Sequence, residues 1–488
     1  MGGSGKTVSM NVLVLFIRQL FTWGSSFLLL LFLPRYLGPE NYGKYYLGQS
    51  LSLMFSVLID FGGRLWITKE ISRDHNRAGQ IIVDAFALRF IMWVFSFICL
   101  NVYAIIAGYD DVTRWIIMIF GLGMLWNAGT VVLSSCFQGF EMLKYPSYSS
   151  VATSAFISLV GIAALLLGAG PIGLSIITVL SSVLSFAIVG FFIKKLTQSF
   201  PKVILKNCLI HLKQGLPYFF NTLFGTIYYR VDTVMLSLMV PNIVLGWYGA
   251  SYKFFDALMF VPSILSIAVF PAMTRIWGEG NSMTKSFQKS MDLLFIIGVP
   301  ISIGMFAFSS KIIELFFGLN GYQPSILILQ IFSAGMLLVY IDILLGTSLL
   351  ASDKQLRLSI VSFVAIFINI GLNYFLIPYT QHHYGNGSIG AAIATLVTEF
   401  SVMISMLSLV PKTILAESKV TAQSKILLSG GIMTISIYIL HSLHVYWIVQ
   451  AIVASIIYFG CILITKTLEK SDYELLKAIL PGKFVGFK

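Results

Sequence analysis

The chain has 488 residues, of which 57% are hydrophobic and 11% charged, and its mean hydropathy is +0.88. Soluble domains carry about 25% charged residues, so this composition excludes a soluble globular protein, a disordered chain and a secreted disulfide scaffold. The net charge is +12, from 32 Lys and Arg against 20 Asp and Glu. On a soluble protein it would suggest nucleic-acid binding; here it has to be placed relative to a membrane first.

A helix that crosses a bilayer needs about 20 mostly apolar residues, because hydrocarbon cannot satisfy a bare backbone. In chain order, fourteen such runs occur, near 9–33, 43–67, 81–107, 115–137, 147–168, 172–193, 216–240, 246–272, 291–309, 326–350, 358–378, 388–410, 426–441 and 445–465. Segment 426–441 is short and holds Gly430 and Gly431, so it is the weakest span. The longest connector, 194–215, leaves no room for a soluble domain. The first run is too long for a cleaved signal peptide, is interrupted by Arg18, and lacks a small-x-small cleavage site. The opening Gly2-Gly3-Ser4-Gly5-Lys6-Thr7 lacks the earlier glycine and preceding strand of a phosphate-binding loop. It also has Lys6 where a myristoylation signal needs Ser or Thr. No cofactor is expected.

Cys99, Cys136 and Cys461 fall inside apolar runs and Cys208 in a basic connector, so no pairing is legible. The basic residues set the orientation. With the N-terminus cytoplasmic, only Arg35, Lys44, Arg114 and Lys311 fall on the outer side, and Arg18, Arg64, Arg89, Arg230 and Lys253 fall within spans. The remaining 23 lie on the cytoplasmic side, a strong positive-inside signal that places both termini there. The expected location is the cytoplasmic membrane.

Two halves repeat. Gly170-Pro171-Ile172-Gly173, Ile176 and Thr178 match Gly387-Ser388-Ile389-Gly390, Ile393 and Thr395 at five positions, 217 residues and six spans apart. A weaker echo pairs Pro39, Gly43 and Tyr45 with Pro241, Gly246 and Tyr248. Six spans per half gives a parallel repeat, as in transporters built from two bundles around a midplane site. The expected organisation is an N-terminal lobe 1–196, a basic connector 197–215, a C-terminal lobe 216–411, and two further helices with a tail over 412–488. The alternative is that glycine-rich helix starts recur by chance.

A charge at the bilayer centre costs about 2.5–3.5 kcal/mol on insertion scales, so the intramembrane charges mark candidate sites. Arg18 sits on a polar stripe with Asn11, Thr22 and Ser25. Asp60 and Arg64 are four apart, which suits an intrahelical pair. Arg230 shares a face with Thr226 and Thr233, with Asp232 turned about 160° away. Lys253 and Asp256 lie three apart. These seven residues fall on spans 1, 2, 7 and 8, the first two of each half, and are read as lining a cleft. The plainer alternative is neutral pairs that fix helix packing. Asp342 and Glu399 are lone acids in apolar spans, candidates to bind a coupling proton or Na⁺ or else to be satisfied by Thr398 or Ser401. Asp84, Arg89 and Asp292 are read as snorkelling at span ends. His382, His383, His441 and His444 lie at outer loops, with no further ligand for a metal. Asn386-Gly387-Ser388 fits a glycosylation triplet but is more simply a helix start.

Leu33-Pro34-Arg35-Tyr36-Leu37-Gly38-Pro39-Glu40-Asn41-Tyr42-Gly43, with Asp60-Phe61-Gly62-Gly63 after it, resembles the N-terminal signature of polysaccharide transporters. These are the Wzx-type O-antigen and capsule flippases of the multidrug/oligosaccharidyl-lipid/polysaccharide superfamily. Ile377-Pro378 and Gly387–Thr395 are similar to the family's second half. The resemblance implies an all-α membrane protein of about fourteen helices, two six-helix lobes in a V plus two C-terminal helices. It implies movement of polyprenyl-diphosphate-linked oligosaccharide between leaflets by alternating access, with no catalytic residue. Arg18, Arg64, Arg230 and Lys253 are then the candidates for the diphosphate, since guanidinium donates bidentately to phosphate. Asp60, Asp232 and Asp256 nearby depart from a purely basic cavity and would hold those bases or bind sugar hydroxyls. Expected partners are the lipid-linked glycan, membrane lipids and the pathway's polymerase and chain-length proteins, and no nucleic acid. The competing functions are a multidrug or metabolite exporter of the same fold and a glycan polymerase or ligase. The longest outer loop, 310–325, carries only Lys311 and argues against the enzyme.

Overall fold

In the computed structural model the described residues are 2–197, 201–411, 414, 421–465 and 467. For residues 2–20, 26, 30, 31, 205, 209, 217, 218 and 221 only the backbone is described. Among the described residues the secondary structure is helical, with no strand.

The first two expected spans form one long helix, α1 (Gly2–Asp60), broken at Gly38, whose φ is 71° and ψ 165°. The residue before a proline is pushed out of the α region, and Gly38 precedes Pro39; lacking a Cβ, it takes the positive φ without penalty. The second arm does not run on to residue 67. Phe61 and Gly62 both take positive φ, and the chain bends by 41° into α2 (Gly63–Arg73). Asp60 and Arg64 therefore sit on different helices, and the expected intrahelical pair does not form.

The chain divides into two compact units, residues 1–249 and 250–488. The first continues with α3 (Ala78–Ile106), α4 (Asp111–Gly139), α5 (Lys144–Leu166), α6 (Pro171–Phe191) and α7 (Leu205–Met239), then the start of α8 (Asn242–Leu258). Local signals set the ends: Asp110 caps α4 by accepting from the Thr113 backbone N–H, and Pro171 occupies the first turn of α6. Here α4 packs on α6 and α3, and α1 on α5, α4, α7 and α3. A dry core at the basic end joins Trp66, Ile67 and Ile71 to Ile81, Ile82, Leu133, Phe137 and Val189.

The second unit holds the rest of α8, then α9 (Phe260–Gly278), α10 (Thr284–Ala307), α11 (Ser309–Phe317), α12 (Ser325–Ala351), α13 (Gln355–Tyr384), α14 (Gly387–Leu409), α15 (Thr421–Ser442) and α16 (Trp447–Ile464). α13 packs on α14, and α12 on α10, α14 and α9. The last pair docks on α10 through Ile296 and Val299 against Ile426, Met433 and Tyr458. Asn386 caps α14 by accepting from the Ser388 N–H, so the triplet at 386–388 is a helix start.

Eleven helical stretches among the described residues are long and apolar enough to cross a membrane, or twelve counting the bent pair 32–60 and 63–73 as one span. They match the expected spans except the first, described mostly by its backbone, and the seventh, which lies in α7. The doubtful segment 426–441 is a 22-residue helix that meets the length and hydropathy of a span. Many large apolar side chains are exposed, such as Phe90, Val94, Ile98 and Ile105 along α3. That is the surface a multi-pass membrane protein presents to lipid.

Candidate functional site

In the first unit α7 offers charge on two faces, as its spacing predicts. Arg230 Nη1 donates to the Tyr46 hydroxyl at 3.4 Å on α1. Asp232, 4% exposed, accepts from the Tyr248 hydroxyl at 3.1 Å on α8. A second polar line runs beside them: the Tyr109 hydroxyl lies 2.7 Å from Ser237 Oγ and 3.3 Å from the Tyr103 hydroxyl.

The weaker echo in the sequence turns out to be a contact. Gly43 on α1 and Gly246 on α8 cross backbone to backbone. A Cβ at Gly246 would stand 2.6 Å from the Pro39 carbonyl carbon, and one at Gly43 would stand 2.9 Å from the Gly246 nitrogen. Tyr42 adds a hydrogen bond to the Gly249 carbonyl at 3.5 Å. The matching glycines are thus each other's partners, because only residues without a Cβ allow so close a crossing.

Asp60 is placed differently from expectation. Its carboxylate forms an ion pair with Arg89 of α3. Arg89 is 4% exposed, so it does not snorkel; it closes the bend between α1 and α2, where Gly63 lies against it. Arg64 is exposed on α2. The Arg18 side chain lies outside the described residues.

Asp84, also read as snorkelling, is fully buried. It accepts from Gln80 Nε2 at 2.9 Å, the Ile204 backbone N–H at 2.8 Å and Asn207 Nδ2 at 2.8 Å. A carboxylate with these donors fastens the basic connector and the start of α7 onto α3. Beside it the His211 ring packs tilted against Trp66 with ring centroids 3.8 Å apart, and Trp66 donates to Gln214. Burial pushes His211 down to about 4; Asp84 opposes this, and Arg77 and Arg89 add to it. Below about 6.5 the unfolded chain therefore binds a proton that the folded chain refuses until about 4. Stability is full above that window and falls as pH drops through it. The melting temperature in detergent should decline between pH 7 and 5, and His211→Gln should flatten the decline.

In the second unit Lys253 and Asp256 are half-buried on α8. Asp342 on α12 and Glu399 on α14, read as lone acids, lie against each other, 6% and 5% exposed. Beyond Glu399, Asp342 finds no hydrogen-bond donor among the described residues. The hydroxyls expected to serve them are engaged elsewhere: Thr398 donates to the Ala394 carbonyl and Ser401 to that of Val397. Two packed carboxylates in a dry site need a proton or cation between them to balance charge. On α13, Asn373 Nδ2 donates to Asn369 Oδ1 at 2.7 Å, both buried; no sequence signal singled these out. Asp292 is half-buried and accepts from Gln423 at 2.6 Å, so it does not snorkel either. Among the described residues no three His, Cys, Asp or Glu side chains cluster closely enough to hold a metal ion.

The long apolar helices keep Asp342 and Glu399 near their middles, a placement that marks functional sites in membrane proteins. The polysaccharide biosynthesis protein family model matches residues 8–277. The chain belongs to that family. A second model, MatE, matches 217–375. A relative in Haloferax volcanii, "Probable low-salt glycan biosynthesis flippase Agl15", is 22% identical over 79% of each chain. Among solved structures, the lipid II flippase MurJ in an inward closed conformation aligns over 93% of this chain and 98% of its own at TM-score 0.73 and 15% identity. An inward-facing multidrug resistance MATE family transporter of the MOP superfamily aligns over 82% and 96% at TM-score 0.66 and 14% identity. This family member therefore has the MurJ and MATE fold.

Proposed function

We propose that this chain is a flippase that moves polyprenyl-diphosphate-linked oligosaccharide from the cytoplasmic to the outer leaflet for surface polysaccharide synthesis. The observation that carries the reading is a set of charges kept within membrane helices, Arg230 and Asp232 foremost, in a member of this family. The names of its relatives, a glycan biosynthesis flippase and a lipid II flippase, supply the cargo class. Two six-helix halves, 1–196 and 216–411, alternate access around Arg18, Asp60, Arg64, Arg230, Asp232, Lys253 and Asp256. The bases take the diphosphate, and the acids hold the bases or bind sugar hydroxyls. Asp342 and Glu399 take the coupling proton or Na⁺. The protein is a transporter and not an enzyme, it lies in the cytoplasmic membrane with both termini inside, and the polymerase and chain-length proteins of the pathway are its partners.

The test is reconstitution in liposomes with a defined lipid-linked glycan. Wild type should move the glycan between leaflets, and Arg230→Ala should lose about tenfold or more in rate, as expected for one lost charge-assisted contact. Asp342→Asn should remove the dependence on an imposed ion gradient. Failure of the wild type to flip any such lipid would end the reading. The MatE match over 217–375 favours a drug exporter as the second reading. A deletion strain sensitive to cationic dyes, with normal surface glycan, would select it.

A further inference from the structure

We infer that the first unit carries a binding site for an anionic glycerophospholipid of the cytoplasmic leaflet, in a groove between α3, α4 and α6. The groove has a volume of about 590 Å³, within the range of small-molecule sites. Its walls are Val83, Phe86 and Phe90 of α3, Gly129 of α4, and Phe186 and Gly190 of α6. Among the described residues one charged side chain lines it, Arg89.

Three observations point to this ligand. The first is Arg89 itself. One guanidinium nitrogen, Nη2, is spent on Asp60, while Nη1 is buried with no hydrogen-bond partner among the described residues. A buried donor without an acceptor is destabilising, and an oxygen entering the groove would satisfy it. The pair with Asp60 is already neutral, so Nη1 needs an acceptor oxygen and not a second full charge. The ester region of a phospholipid offers such oxygens directly above its chains.

The second is where the groove opens. Phe90 is 53% exposed and belongs to the same outward stripe of α3 as Val94 and Ile98, so the groove faces hydrocarbon. An acyl chain reaches it without leaving the bilayer. The third is the charge at its mouth. Ile193 and Val203 close the basic end of the groove, and each is next to an exposed lysine, Lys194 and Lys202. Those ammonium groups suit a headgroup phosphate, each such contact near an anionic surface being worth about fivefold in binding. The ligand then lies with chain in the groove, ester oxygen on Arg89 and phosphate between the two lysines. This assignment does not depend on the cargo of the transporter, only on the basic end being cytoplasmic.

The experiment is native mass spectrometry of the full chain purified with equal phosphatidylglycerol and phosphatidylcholine. Wild type should retain phosphatidylglycerol with about thirtyfold preference, the discrimination two surface lysines give. Gly190→Leu places a side chain in the groove, where a Cβ meets only Leu133 at 3.9 Å, and leaves the Asp60–Arg89 pair intact. It should lose the retained lipid while melting as wild type does. Lys194→Gln with Lys202→Gln should keep a bound lipid but lose the preference for phosphatidylglycerol. Equal retention by Gly190→Leu and wild type would overturn the site. Equal binding of the two phospholipids by wild type would overturn the anionic ligand. Displacement of phosphatidylglycerol by polyprenyl phosphate at equal concentration would assign the groove to the cargo and overturn the phospholipid. The outcomes with Gly190→Leu and with the two phospholipids do not bear on whether the protein flips glycans.

Discussion

Gly246→Ala should abolish transport and lower thermal stability, although it adds a single methyl group to a helix. Alanine is ordinarily the better helix former by roughly 0.5–1 kcal/mol, so propensity alone predicts a gain. Space decides otherwise. The added carbon would meet the Pro39 carbonyl, with its carbon at 2.6 Å and the Pro39 Cα at 3.0 Å. These are backbone atoms, so no side chain can swing aside, and α1 and α8 would have to separate. Overpacking of this kind costs about 1–3 kcal/mol, and a conformational balance shifts about tenfold for each 1.4 kcal/mol. On the alternating-access reading, the closed crossing belongs to one state of the cycle, and the variant would be held out of it. Gly43→Ala should behave alike, because its Cβ meets Asn242 and Gly246 from the other side. Gly431→Ala on α15 is the control: nothing lies within 4 Å of its Cβ, and it should be neutral or slightly stabilising. Liposome flipping and melting temperature measure the contrast, and a fully active Gly246→Ala would show that the crossing is not held in the cycle.

The helices were legible because hydrophobic run length is a strong signal and lipid imposes it along the chain. Their breaks were less so. Gly38-Pro39 announces one break, but the bend at Phe61-Gly62 hides inside an apolar run and puts Asp60 and Arg64 on separate helices. Spacing along one helix ranks Arg64 first, whereas the fold offers Arg89, 29 residues on, which no local rule reaches. The same limit explains Asp342 and Glu399: each is alone on its own helix, and their approach depends on α12 packing against α14. Asp84 shows the converse. Its position near a span end suits a charge that reaches water, yet donors from a connector with no periodic pattern cover it completely. The glycine echo was read as evidence of a repeat, and its meaning as a contact appears only when the two helices cross. The sequence reports where charges are and not which of them face each other.

Asp60→Ala should cost far more stability than Arg89→Met, although both break the same ion pair. The difference lies in what each leaves behind. The Arg89 side chain is 5% exposed and that of Asp60 31%. Removing Asp60 strands a guanidinium in a dry site, where breaking a buried pair by deleting one partner costs about 3–5 kcal/mol. Removing Arg89 leaves a carboxylate that can still reach water, and the methionine refills much of the volume, so the loss should be about 1–2 kcal/mol. The double variant, Asp60→Ala with Arg89→Met, should recover most of the loss of Asp60→Ala, since no buried charge remains; replacing a whole buried pair by apolar groups is often neutral. Trp66 lies in the adjoining core, so its fluorescence on heating reads the same region. Equal losses from the two single variants would mean that both charges are solvated and that the pair does not hold the bend. If the double variant melts normally but does not flip glycan, Asp60 acts on cargo as well as on Arg89, and its place among the substrate residues stands. If it both melts and flips normally, the pair is structural alone, and the candidate site contracts to Arg18, Arg64, Arg230, Asp232, Lys253 and Asp256.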